Sequence, residues 1–108
     1  MMTKWEIWWA YVKFEDSNEV KRRPVLILDN QIACILSLKI TSHEPRKNFN
    51  GEYQILQWEK AGLTKPSVVR LSKPLCLQKR DFGDKIGKLS DADILSIQTL
   101  LTFYSKKA

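Results

Sequence analysis

The sequence predicts a mainly β fold, a small, twisted and partly closed β-barrel of about six or seven short strands with a C-terminal helix packed against it. Short runs of β-branched and aromatic residues alternate with polar loops, glycine or proline up to residue 89. Helical spacing of apolar residues is convincing only after Ser90. The length of 108 residues suits one domain, so residues 1–108 are expected to fold as a single unit.

The first half of the chain predicts three strands. The expected elements are an aromatic-rich strand over residues 5–14, a polar loop over 15–22, a short strand over 25–28 and an apolar strand over 32–40. Both faces of the first strand are apolar, which predicts burial on both sides. Pro24 is expected to open the second strand, and Asp29-Asn30 favours a turn that makes the next two strands a hairpin.

The second half predicts short strands and then the helix. Asn50-Gly51 indicates a tight turn before the next strand. The expected elements are strands over residues 52–57, 67–71, 75–77 and 85–89, with a helical turn over 58–62 that Gly62 ends. Ser90 is a suitable N-cap for the helix. An apolar stripe predicts the buried face of that helix, and its members are Ile94, Ile97, Leu101 and Tyr104.

Charge and composition limit the classes of function. The formal net charge is +6, of which residues 55–108 carry +5, and a basic half favours a polyanionic partner such as nucleic acid. No apolar run is long enough to span a membrane, and Glu6 interrupts any leader-like segment, so a cytoplasmic location is expected. Cys34 and Cys76 are expected to be reduced and to pack as small hydrophobes. One histidine and two distant cysteines predict no metal site.

A candidate phosphate site emerges where the predicted hairpin opens. The hairpin brings Arg23 near Thr41, His43 follows two residues later, and Arg70 lies in a later strand that could reach the same face. A guanidinium matches two phosphate oxygens, a hydroxyl orients a phosphate and a histidine can move protons. No carboxylate cluster suits Mg²⁺, and RNA carries its own nucleophile in the 2′-OH. The residues alone are also compatible with a structural salt bridge of Arg70 and with His43 as an ordinary exposed loop residue.

At these residues the chain resembles the MazF/PemK family of bacterial toxin–antitoxin endoribonucleases. The matching features are Glu6-Ile7-Trp8, Arg23-Pro24 with the strand after it, Ile40-Thr41-Ser42, residues 62–69 and residues 85–91. They occur in order and extend from Trp5 to Leu101.

The resemblance implies an SH3-like barrel, a homodimer and metal-independent cleavage of single-stranded RNA without a cofactor. The products would carry a 2′,3′-cyclic phosphate and a 5′-OH. The catalytic roles would belong to Arg23, Thr41 and Arg70. The residues expected to contact RNA are Lys21, Arg22, Ser42, Arg46, Lys47 and Lys73. An acidic, partly disordered antitoxin is the expected protein partner, with operator DNA bound through the toxin–antitoxin complex.

Two departures from the family pattern matter. Ser72 stands where plasmid-type members have an aspartate that acts as general base, and His43 is a candidate replacement. Trp5 stands at the usual position of a glycine. The alternative function is a non-catalytic barrel that binds nucleic acid or poisons a large enzyme such as gyrase. The joint presence of Arg23-Pro24 and Thr41-Ser42 favours the nuclease.

Overall fold

A rolled antiparallel sheet and one long helix make up the described structure. The computed structural model describes residues 2–13, 19–30, 35–42, 51–72 and 74–107. Its strands are β1 Glu6–Lys13, β2 Val20–Asn30, β3 Ile35–Thr41, β4 Glu52–Gln54, β5 Val68–Arg70, β6 Leu75–Leu77 and β7 Phe82–Lys88. A 3₁₀ turn, Lys79–Asp81, precedes β7, and helix α1 spans Asp91–Lys107. The predicted mainly β class with a C-terminal helix is confirmed.

All strand pairs are antiparallel. The strand order is β4-β5-β3-β2-β1-β7, and β6 pairs with β3. Within the described residues the sheet is not closed, because β4 and β7 share no ladder.

A tight turn after β4 fills the gap between β4 and β7. The amide of Leu63 donates to Trp58 O at 3.1 Å, and the amide of Gly62 donates to Glu59 O at 3.1 Å. These two bonds and the φ of 93° at Gly62 form a Schellman motif, which agrees with the predicted stop at Gly62. The turn packs directly on β7, since a Cβ added at Gly87 would lie 2.1 Å from Ala61 O.

Gly87→Ala is therefore expected to lower the free energy of unfolding by about 2 kcal/mol, because the turn must move away from β7 to accommodate a methyl group. Gly83→Ala is the matched control in the same strand: its Cβ would meet Trp9 Cβ at 3.6 Å, an ordinary contact. Urea unfolding measures both. Equal stability of the two variants would contradict the close packing of turn and strand.

The barrel interior and one stripe of α1 form the main core. Ile97 is fully buried, and Ile94 and Leu101 pack against the same cluster, so the predicted stripe is confirmed for these residues. The side chain of Tyr104 lies outside the described part of the structure. Ser90 caps the helix as predicted, since its Oγ accepts from the amide of Asp93 at 3.3 Å.

Trp5 occupies a left-handed backbone conformation. Its φ is 75°, a region that L-residues other than glycine rarely adopt. The ring is nevertheless buried in the main core. This backbone conformation favours glycine, which is the residue expected at this position from the family resemblance. In this chain the burial of the Trp5 indole offsets the backbone strain.

Glu6 links β1 to β7. Its Oε2 lies 2.8 Å from Lys85 Nζ, and its Oε1 accepts from the Trp8 indole at 3.0 Å and from the Thr3 amide at 2.8 Å. Burial by itself raises the pKa of Glu6, but these donors outweigh it and lower the pKa to about 2. The carboxylate is consequently ionised at neutral pH.

The predicted boundaries around β2 are wrong in three respects. The polar segment expected to be a loop up to residue 22 is already strand from Val20, where it pairs with Lys13 of β1. Pro24 lies inside β2, opposite Trp9, rather than at its start. A proline is compatible with this position because the ladder to β3 begins only at Val25. Asn30 also belongs to β2, after a bulge between Ile27 and Asp29, where a turn was expected.

The prediction of a reduced, buried cysteine is wrong for Cys76. Cys76 is exposed in β6 and is disulfide-bonded. The apolar neighbours Leu75 and Leu77 suggested burial, but the alternation of side chains along β6 turns Cys76 to the opposite face. The other cysteine of the sequence, Cys34, lies outside the described residues.

Within the described ranges, no helix has both the length and the apolar character needed to cross a membrane.

Candidate functional site

The open ends of β2 and β3 place Arg23 beside Thr41. The register pairs Val25 with Lys39 and Leu26 with Leu38. Continued by two residues, the same register sets Arg23 opposite Thr41, where Cβ atoms are typically about 5 Å apart. The expected proximity of these two residues thus follows from the ladder, although β2 is longer than predicted.

Arg70 lies on the same face of the sheet. Thr41 pairs with Val68, and Arg70 is two residues further along β5. Residues two apart in a strand share a face, and such diagonal neighbours are about 7–8 Å apart, within reach of an arginine side chain. The register therefore brings Arg23, Thr41 and Arg70 to one face near one rim of the barrel.

Each of these residues has one polar side-chain atom that is withdrawn from solvent. Thr41 Oγ1 is buried and has no hydrogen-bond partner in the described part of the chain. The Nε atoms of Arg23 and Arg70 are buried as well. A buried hydroxyl without a partner costs free energy, and such groups often mark positions that bind a ligand.

Arg70 is paired with a carboxylate that the sequence analysis missed. Its Nε lies 3.7 Å from Glu52 Oε2, and the two side chains are 16% and 1% exposed. Glu52 faces Arg70 directly in the β4–β5 ladder. The salt bridge that sequence left open for Arg70 is therefore present. A long connection separates β4 from β5, so the sequence does not indicate that Glu52 pairs with Arg70. The only available signal was that a carboxylate begins the strand predicted after Asn50-Gly51.

Glu52→Gln is expected to lower the free energy of unfolding by about 2 kcal/mol, because the buried guanidinium of Arg70 loses its counter-charge while an oxygen acceptor remains. Glu59→Gln is the control, an exposed glutamate for which a change below about 0.5 kcal/mol is expected. The double variant Glu52→Gln/Arg70→Gln should recover part of the loss in urea unfolding. Equal losses for Glu52→Gln and Glu59→Gln would show that the Glu52–Arg70 pair does not contribute to the free energy of unfolding.

Asp93 fixes the end of β4 to the start of α1. Its fully buried carboxylate accepts from Tyr53 Oη at 2.5 Å, from the amides of Leu56 and Gln57 at 2.9 Å each, and from Ser90 Oγ at 3.1 Å. Burial raises the pKa of Asp93, but these donors prevail and lower it. Burial and donation to Asp93 raise the pKa of Tyr53 to about 12. This network secures Tyr53, the neighbour of Glu52.

A cavity of about 270 Å³ opens at the same rim. Arg23 lines it, as do Trp9 and Arg22, and the Arg22 guanidinium lies 4.5 Å from the centre of the Trp9 ring. Ser42 and Lys65 supply polar lining. Arg22 and Ser42 were predicted from the sequence to contact RNA, whereas Trp9 and Lys65 were not, because nothing local in the sequence joins residue 65 to β1.

The remaining predicted site residues divide into two groups. Lys21 is exposed on β2 beside the cavity residues Arg22 and Arg23. The others lie outside the described residues, and they are His43, Arg46, Lys47 and Lys73. Among residues that are described, no group of three histidine, cysteine, aspartate or glutamate side chains is arranged to hold a metal ion.

Comparisons with solved structures identify the same fold. The chain is similar to an endoribonuclease in complex with its cognate antitoxin from a mycobacterial species, with a TM-score of 0.70, 16% identity and coverage of 95% of this chain and 93% of that one. It is also similar to the Mycobacterium tuberculosis toxin MazF-mt6, with a TM-score of 0.64, 21% identity and coverage of 89% and 93%. A mycobacterial endoribonuclease gives a TM-score of 0.67 at 16% identity, with coverage of 93% and 86%.

No curated protein sequence matches the chain. The profile of one family, described as the PemK-like, MazF-like toxin of type II toxin–antitoxin systems, matches residues 3–104, which is nearly the whole sequence. This match, together with the shared fold, shows that the chain belongs to the PemK-like, MazF-like family of type II toxin–antitoxin toxins.

Proposed function

We propose that this toxin is an endoribonuclease that cleaves single-stranded RNA without a bound metal, leaving a 2′,3′-cyclic phosphate and a 5′-OH. One observation supports it most: the register at the open ends of β2 and β3 sets Arg23 opposite Thr41, with Arg70 on the same face. The endoribonucleases of similar fold agree with this activity.

The proposed reaction uses a nucleophile that the RNA itself carries. The 2′-oxygen attacks the adjacent phosphorus, its proton passes to a base, and the bond from phosphorus to the 5′-oxygen breaks as that oxygen takes a proton. Negative charge builds on the phosphate oxygens in the transition state. Arg23 and Arg70 would stabilise that charge, and Thr41 Oγ1 would orient the scissile phosphate.

Proton transfer in this proposal uses a different group from the carboxylate of plasmid-type members. Ser72, in the turn after β5, cannot replace the carboxylate that plasmid-type members have at that position. Glu52 is the carboxylate paired with Arg70, but its 1% exposure suits positioning of Arg70 better than direct contact with a 2′-OH. We propose His43 as the base, and His43→Ala with a shifted pH–rate profile would test it.

A substrate with one altered sugar tests the chemistry. The 5′ ends of RNA treated with purified protein are mapped with and without EDTA to find the cut site. An oligonucleotide with a single 2′-deoxy sugar at that site should remain intact, and EDTA should not slow cleavage of the unmodified RNA. Cleavage at the deoxy position would exclude internal attack. Intact cellular RNA with broken chromosomal DNA would favour the gyrase route.

The proposal includes two protein partners. A cognate acidic antitoxin would cover the basic rim and block the site, and the toxin–antitoxin complex would bind operator DNA. A second copy of the chain would form a homodimer through β1 and α1. The exposed apolar residues Tyr11, Leu95 and Phe103 on these elements support that arrangement. Light scattering after size exclusion should give twice the chain mass at micromolar concentration, and a monomer would contradict the dimer.

A further inference from the structure

Arg22 and Trp9 form a cation–π pair in the lining of the rim cavity. The guanidinium carbon of Arg22 lies 4.5 Å from the centre of the Trp9 ring, a distance typical of a cation–π contact. Arg22 is exposed and Trp9 is half-buried, so both line the cavity while remaining accessible from solvent.

Three neighbouring strands meet at this pair. Arg22 extends from β2 and Trp9 from β1, while Gly83 of β7 lies close to both side chains. A Cβ at Gly83 would lie 3.6 Å from Trp9 Cβ and 3.8 Å from an Arg22 Nη atom. Since Arg22 and Trp9 both belong to strands, the backbone positions from which their side chains extend are fixed by the β1–β2 ladder.

The remaining lining of the cavity combines apolar side chains with cationic and polar ones, and the apolar members are Pro24, Ile40, Leu63 and Ile86. Lys65 and Arg23 add positive charge, and Ser42 and Thr64 add exposed hydroxyls. No acidic residue is among the described residues that line it. The volume of about 270 Å³ is below the range of roughly 300–1,000 Å³ in which whole drug-sized molecules bind. Such a space suits one ring system attached to an anionic chain.

We propose that this cavity binds one unpaired RNA base, stacked against the Arg22 guanidinium and the Trp9 ring, with Lys65, Ser42 and Thr64 contacting its edge. The proposal rests on the proposed ribonuclease function and adds a specificity subsite to it. Unpaired bases commonly stack on aromatic rings and on arginine planes, and their edges are then read by side-chain donors and acceptors.

The subsite lies next to the candidate phosphate site. Arg22 and Arg23 are consecutive in β2, so their side chains leave the strand on opposite faces. Arg23 is nevertheless one of the residues that line the cavity. Because Arg22 and Arg23 are adjacent along β2, a bound nucleotide would place its base against Arg22 and Trp9 and a flanking phosphate at Arg23. Base identity would thereby select which phosphate is cut.

Equilibrium binding tests this subsite separately from cleavage. Fluorescence anisotropy is measured with an RNA oligonucleotide that carries one 2′-deoxy sugar at the mapped cut site, and each base in turn is replaced by an abasic residue. If the protein cuts no RNA, the scan uses unmodified RNA. The wild-type protein should show one position where base removal weakens binding by roughly 5- to 150-fold, the loss typical of one base–aromatic stack.

Arg22→Lys keeps the charge but removes the stacking plane, so it is the decisive variant. It should weaken binding of the intact oligonucleotide and reduce the abasic penalty to below about threefold, with the salt dependence unchanged. Trp9→Leu should give the same loss of the penalty. Arg80→Lys is the matched control, because Arg80 is an exposed arginine of the 3₁₀ turn and is not among the cavity residues.

A flat abasic scan of the wild type would overturn the subsite, as would a penalty that Arg22→Lys leaves unchanged. Dependence on Arg22 and Trp9 for an acidic peptide but not for RNA would overturn it too, because the cavity would then be a protein site. Absence of RNA cleavage by the wild type would contradict the proposed function alone, since the subsite is read from binding.

Discussion

Arg23→Ala is expected to lower the single-turnover rate of RNA cleavage by roughly 10²- to 10³-fold, which is the loss typical of removing one donor to a developing oxyanion. Arg23 pairs with Ala10 in the β1–β2 ladder, and the register of the β2–β3 ladder, continued by two residues, sets it opposite Thr41. Without its guanidinium the negative charge on the phosphate in the transition state would lose one of the two cations proposed to stabilise it. Binding should weaken much less than the rate, because phosphate contacts from other basic residues remain.

The control for this prediction is Arg80→Ala, which removes the same charge from the 3₁₀ turn and should leave the rate within about twofold of wild type. Arg23→Lys should restore only a small part of the activity, because a lysine offers no bidentate fork. Cleavage by Arg23→Ala at the wild-type rate would remove Arg23 from the proposed site.

Asp93→Asn is expected to lower the free energy of unfolding by about 3 kcal/mol at pH 7. The buried carboxylate accepts hydrogen bonds from two amides and two hydroxyl groups, and an asparagine must turn its own NH₂ donor toward some of them. Asp91→Asn is the control in the same helical turn, where an exposed carboxylate contributes only through the helix dipole, by at most about 1 kcal/mol. Equal losses in urea unfolding would contradict the role given to Asp93.

The effect of Asp93→Asn should depend on pH in a definite direction. The pKa of Asp93 in the folded chain lies below its ordinary value of 3.8, so its stabilising contribution is complete above that value and declines as the pH falls. The stability gap between wild type and Asp93→Asn should therefore narrow below about pH 4. Glu6, whose pKa falls from 4.5 to about 2, remains in both proteins and should make each of them less stable over that interval. A gap that widens on acidification would refute this assignment.

The elements that could be predicted well from the sequence are those whose residue pattern lies within a single segment. The aromatic alternation of β1 and the capped, apolar-striped helix after Ser90 both carry their own pattern, and both are present. Polar Lys21 and Arg22 suggested a loop because their charge conceals the strand, and only the ladder with Tyr11 and Val12 shows that they belong to β2. Strand pairing over a distance, unlike periodicity, leaves no local pattern in the sequence.

The candidate site was predictable only where it follows from adjacent strands. The proximity of Arg23 and Thr41 could be inferred because β2 and β3 are consecutive. The contact of Arg70 with Glu52 joins β5 to β4, and that of Arg22 with Trp9 joins β2 to β1, so each depends on a register that sequence does not specify. The disulfide of Cys76 was missed for a similar reason, since β6 pairs with a strand far back in the chain.

A double-mutant cycle on cleavage provides the most direct test that Arg23 and Thr41 act on one phosphate. Single-turnover rates are compared for Arg23→Ala, Thr41→Val and the double variant, with circular dichroism to confirm that each is folded. Residues that stabilise the same transition-state charge are strongly non-additive, so the double variant should be within about threefold of Arg23→Ala. Rate losses that simply multiply would show that the two side chains act independently, and the shared phosphate site would be wrong.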